Sequence, residues 1–175
     1  MDDALIVRIE ANRKEYERLL KDEHYINVRF NPKNGALLAI HKEHHFDSTK
    51  GIFGIERGDY ERISLEVLYE YGRNVVLESE HNIDGVKTPD GLLDWKKFDI
   101  KGIEGTGKRN IEYKIYEGSN QGAETVVLYF HSESVFSMHR IIEGYDAYMR
   151  NSKSKKISTL YYILDRKLYK YENKK

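Results

Sequence analysis

Apolar residues between Ala4 and Lys21 fall at Ile6, Ile9, Tyr16, Leu19 and Leu20, a spacing that predicts a helix with one buried face. Tyr25 to Phe30 has strand character. The turn signal Asn31-Pro32-Lys33-Asn34-Gly35 and the apolar run Ala36 to Ile40 follow, so a hairpin is expected. From Gly58 the order becomes regular. Asp59 to Tyr71 is helical in period and stops at Gly72, a residue that tolerates positive φ. Asn74 to Glu78 is short and β-branched, hence a strand. Thr88 to Lys101 reads as two short strands joined by a tight turn near Asp94 to Lys97. Arg109 to Gly118 can form a helix with Ile111 and Ile115 on one face. Thr125 to Phe130 is continuously apolar, the pattern of a strand covered on both faces. Phe136 to Met149 repeats apolar residues at helical spacing, and Lys156 to Leu164 with Lys167 to Glu172 flank Asp165-Arg166 as a terminal hairpin.

Helices alternating with strands imply an α/β (α+β) fold, a mixed central sheet with helices on both faces. The chain has 175 residues and neither repeats nor a Pro-rich linker, so a single domain over residues 1–175 is expected. Within it, residues 1–55 form an N-terminal helix and hairpin extension, and residues 132–175 a C-terminal helix and hairpin. The absence of cysteine excludes disulfides and thiolate metal sites, leaving His, Asp and Glu as the strong ligands. No run approaches the roughly 18–20 apolar residues of a membrane span, and the start lacks the pattern of a signal peptide. A soluble, cytoplasmic protein with no membrane partner is the expectation. Net charge is zero, from 29 basic and 29 acidic residues. The charge is uneven: residues 150–175 hold nine Lys or Arg against two acids, a local +7 that leaves −7 for the rest. A basic end beside an acidic body is compatible with holding a polyanion near carboxylates. A solvated surface is the plainer explanation.

The candidate chemistry centres on Asp90, Asp99 and Lys101. An acid two residues before Lys recurs five times, so the spacing alone carries little. Residues two apart on a strand point to one face, so Asp99 and Lys101 project together, and Asp90 can meet them across the hairpin. Two carboxylates and an ammonium suit a divalent cation, a water and a phosphodiester. A charged sheet edge is the rival explanation. Glu61 shares a helix face with Leu65 and Leu68, which points it at the sheet, where a carboxylate needs a partner. The His-rich segment from His41 to Asp47 reads mainly as a surface turn, with His44 or His45 available to contact phosphate or act as an acid. His131 closes an apolar strand at a sheet end, where sites often form.

The strings RGDYERISLEVLYEYGRNVVLE, PDGLL and FDIK together resemble the PD-(D/E)xK nuclease superfamily, over residues 57–131. The resemblance implies a restriction-endonuclease-like core, with Asp90 as first acid, Asp99 as second acid and Lys101 as the lysine. Asp99 stands where Glu is more frequent. Glu61 matches the acid of the opening helix, and Gln121, in a segment before a hydrophobic strand, matches a Gln-containing segment of many members. Asp90, Asp99 and the carbonyl of Ile100 would bind Mg²⁺ or Mn²⁺, with Glu61 reaching the ion directly or through water. Substrate would be gripped by His44, Lys108, Arg109 and His131. The wider chain resembles C-terminal toxin domains of contact-dependent inhibition systems, which are similar to tRNA-cleaving nucleases, and related domains occur in phage head-morphogenesis proteins and mobile elements. The expectation is therefore a toxin-like nuclease for RNA, tRNA in particular, with an immunity protein as partner. The alternatives are a DNA endonuclease or junction resolvase of the same fold, a non-catalytic accessory binding module, and a metal-free ribonuclease using His44 and a carboxylate.

Overall fold

The computed structural model describes residues 2–80, 88–153 and 157–172. Helix α1 (Asp3–Lys21) starts where the Asp2 carboxylate accepts the Ala4 N–H at 3.1 Å, and it buries Ile9 and Leu19. The expected hairpin follows as β1 (Tyr25–Phe30) and β2 (Leu37–His41). Helix α2 (Arg57–Glu70) ends against Gly72, whose φ of 80° is the left-handed value that the stop signal requires. Then come β3 (Asn74–Leu77), β4 (Gly91–Leu93), β5 (Lys96–Ile103), α3 (Asn110–Asn120), β6 (Thr125–Phe130), α4 (Met138–Asn151), β7 (Thr159–Leu164) and β8 (Lys167–Tyr171).

Several boundaries differ from expectation by one or two residues. The β4–β5 turn is Asp94-Trp95 alone, so β5 begins at Lys96 and Asp90 lies one residue before β4. Helix α4 starts two residues late, because the Ser137 hydroxyl caps it by accepting the Arg140 N–H at 3.2 Å, while Phe136 packs edge-on against Phe130 instead. Lys156, the expected start of the terminal hairpin, lies outside the described residues.

The eight strands lie side by side in chain order. The pairs β2–β3, β5–β6 and β6–β7 are parallel and the others antiparallel. Each parallel pair is joined through a helix, as the geometry of a parallel connection demands. Alternation along the strands sorts the core into two faces. Leu38, Val75, Leu77, Phe98 and Val127 pack with Leu65 and Leu68 of α2. Leu37, Ala39 and Val76 meet Leu19 of α1, and Val126 and Leu128 meet Ile111 and Ile115 of α3 and Ile141 of α4. Helix α2 therefore covers one face, and α1, α3 and α4 cover the other. No described helix is long and apolar enough to cross a membrane.

Candidate functional site

Strand β5 has eight residues and β4 only three, so β4 covers β5 from Lys96 to Phe98 and, among the described residues, no strand pairs with that edge from Asp99 onward. The site forms at that edge. The side chain of Asp90 replaces the missing strand: its Oδ2 accepts the Ile100 N–H at 2.6 Å. A strand residue presents N–H and C=O to the same side, so the Ile100 carbonyl also faces the opening. Asp99 and Lys101 lie on the α3 face of β5, where α3 comes close because Gly118 has no side chain; a Cβ there would stand 2.7 Å from Val126 Cγ2 and 3.7 Å from Asp99 Cβ. Glu61 reaches the same opening from α2 on the opposite face. Glu61, Asp90, Asp99, Ile100, Lys101 and Gln121 all line one cavity of about 350 Å³.

Lys101 Nζ lies 2.8 Å from Asp99 Oδ2 and 3.8 Å from Glu117 Oε2, and donates to Gln121 Oε1 at 3.2 Å. Asp99 is 2% exposed, and its ion pair with the Lys101 ammonium offsets the cost of burying the carboxylate. The His44 ring has no exposed surface. Its Nδ1 donates to the Glu78 carbonyl at 2.8 Å, and its Nε2 bonds Glu61 Oε1 and lies 4.0 Å from Glu80 Oε1. One ligand atom each from His44, Glu80 and Asp90 fall within 4.8 Å of one another.

Burial pushes the Asp90 carboxyl well above the usual carboxylate range, and the neighbouring charges of Asp99 and Glu61 push it the same way. Glu61 is also raised by burial, against the opposing pull of His44. For His44, burial disfavours the imidazolium, but the Glu61 hydrogen bond and charge outweigh it and the pKa rises. Lys101 follows the same logic, with burial overcome by Asp99, Asp90 and Glu117, so its ammonium stays charged. Five carboxylates, of Glu61, Glu80, Asp90, Asp99 and Glu117, thus crowd around one ammonium and one imidazole. Lys101 and His44 offset only part of that negative charge, and a cation would relieve the rest. The Asp90 and Asp99 carboxylates and the Ile100 carbonyl are hard oxygen donors that could hold Mg²⁺ or Mn²⁺.

The four expected substrate-gripping residues are placed elsewhere. His44 is sealed beneath Glu61 and cannot touch substrate; its neighbour His45 lines the cavity, because the turn after β2 rotates one imidazole in and the next out. That burial also removes the direct contact that the metal-free alternative needs. Lys108 and Arg109 line a separate cleft between α3 and α4, where Arg109 pairs with Glu112 at 3.1 Å and lies over the Tyr113 ring. His131 stacks on Phe53 with ring centroids 3.8 Å apart and meets the Tyr60 hydroxyl at 3.2 Å, outside the carboxylate cavity. Glu80, Glu117 and Thr88 were not expected in the site, and Asp47 enters it from the end of the His-rich segment. Of the first three, only Glu117 left a trace in sequence, four residues before Gln121. Comparison of the chain with protein-family models, curated proteins and solved structures returns no match.

Proposed function

We propose that this chain is a divalent-cation-dependent nuclease that hydrolyses phosphodiester bonds of RNA. One observation carries the reading: Glu61, Asp90, Asp99 and Lys101, up to forty positions apart in the chain, line a single cavity at an open strand edge. Asp90, Asp99 and the Ile100 carbonyl would hold Mg²⁺ or Mn²⁺, with Glu61 beside them. When bound, the cation supplies a water that ionises near neutral pH and neutralises charge developing on the phosphate. Lys101, held by Asp99 and Gln121, keeps an ammonium at the cavity to stabilise that charge and orient the attacking water. His44 fixes the Glu61 carboxylate in place from behind.

The test is cleavage of matched RNA and DNA oligonucleotides and of tRNA, the first substrate to assay given the resemblance to toxin domains. Hydrolysis of RNA that needs Mg²⁺ or Mn²⁺, stops with EDTA and is lost in Asp90→Asn is expected. Cleavage confined to DNA moves the assignment to an endonuclease or resolvase. Cation-independent cleavage, or nucleic-acid binding with no hydrolysis of any substrate, overturns it.

A further inference from the structure

Beside the carboxylate cavity lies a second cleft of about 440 Å³, which shares Asp47, Glu61, Ile100 and Lys101 with it as a common wall. Its volume falls in the ~300–1,000 Å³ range of small-molecule sites. We infer that this second cleft is a nucleobase subsite, taking one unpaired nucleotide next to the bond that is cleaved, with its base against Ile52. The inference rests on reading the adjoining cavity as the hydrolytic centre.

Ile52 is 73% exposed and Phe53 41% exposed, neighbours at the tip of the loop that leads into α2. The loop holds them there. Gly51 N–H donates to the Ile55 carbonyl and Gly54 N–H to the Gly51 carbonyl, both at 3.0 Å, and Lys50 bridges to Glu56. The Ile52 N–H donates to Glu104 Oε2 at 3.0 Å, and the Phe53 ring lies parallel to His131. A large apolar side chain fixed in water at the rim of a cleft is a contact surface for a flat ligand face. Tyr60, stacked from behind on Tyr129, forms part of the wall.

The charge of the cleft argues for a base rather than a phosphate. Arg57, Lys101 and Lys114 are matched by Asp47, Glu61, Glu104 and Glu117, so no positive excess draws an anion in. Glu104 Oε2 accepts the Ile52 N–H and its Oε1 is buried against Gly51, so this carboxylate fixes the loop and leaves the cleft wall without a free anion site. A base within a duplex has both faces covered, so only an unpaired one can enter.

Two substitutions block the cleft without touching the carboxylates. At Gly105 the nearest atom to an added Cβ is 3.9 Å away, so Gly105→Leu has room to fold, and Ile52→Glu changes an exposed side chain. The experiment is saturation-transfer NMR in EDTA with the four free nucleosides, which carry neither phosphate nor scissile bond, and with ribose as control. Transfer to the base protons of at least one nucleoside is expected, with none to ribose, falling about fivefold or more in both variants. In cleavage assays Gly105→Leu should raise KM for single-stranded RNA about tenfold with kcat within about twofold. No transfer from any nucleoside, or transfer undiminished in both variants, overturns the subsite. Nucleosides that bind to a protein with no cleavage activity leave the subsite standing and remove the hydrolytic reading instead.

Discussion

Asp90 sits where binding a cation and stabilising the fold pull in opposite directions. Its folded pKa is raised, so it holds a proton more tightly folded than unfolded. The stability it contributes is full below its unfolded pKa of about 3.9 and is lost as pH rises through the higher folded value. In EDTA, Asp90→Asn should therefore raise Tm relative to the native protein, by more at about pH 8 than at pH 5, while cutting cleavage by about 10²–10³-fold or more. A Tm that falls at both pH values would show that Asp90 is needed as a charged acceptor for the Ile100 N–H. His44 works differently. His44→Ala strips Glu61 of its buried partner and should cost about 3–5 kcal/mol in urea unfolding. The acids and lysine stand out in sequence through the resemblance carried by PDGLL and FDIK; the period-two alternation of β5 and the helical face shared by Glu61 and Leu65 say only which way they point. His44 and His45 were not separable, because one residue of turn register decides which imidazole is buried.

At the scale of elements, both tight hairpins turn on two non-glycine residues in the left-handed region. Asp94 and Trp95 have φ of 49° and 68°, and Asp165 and Arg166 have φ of 51° and 57°. Such turns suit the twist of paired strands but favour Asn-Gly or Asp-Gly. Trp95 is 44% exposed, so little packing offsets the backbone cost. Trp95→Gly should raise stability by about 1 kcal/mol in thermal or urea unfolding; a clear loss would mean that the indole packs more tightly than its exposure implies. Gly118 makes the opposite case, since Gly118→Val would drive a side chain into Val126 and cost about 1–3 kcal/mol. Helices and strands were readable because burial imposes their periods on the apolar residues. Their ends followed caps instead: Ser137 set the start of α4, and Gly72 the end of α2.

For the whole molecule, a cation that binds only the folded chain adds stability by mass action, about 2.7 kcal/mol at a hundredfold excess over Kd. Mg²⁺ or Mn²⁺ should raise Tm, more at about pH 8 than at pH 6, because the ion displaces the proton that Asp90 holds. An equal shift in Asp90→Asn would place the ion elsewhere. The basic pair Lys108-Arg109 reads in sequence as a grip for substrate, yet it precedes α3 and lines the cleft against α4, while Lys114 within α3 lines the cleft beside the carboxylates. The loop carrying Ile52 and Phe53 had no periodicity to mark it. By itself, the sequence determined the element order, the two-faced sheet and the pairing of Asp99 with Lys101 on one face, because local spacing and burial decide these. Only tertiary structure decided that β4 stops short of Asp99, that Glu61 meets the acids around the open edge, and that a second cleft adjoins them. Those outcomes depend on strand length and on contacts between residues far apart in the chain, where no local pattern records which partner will be met.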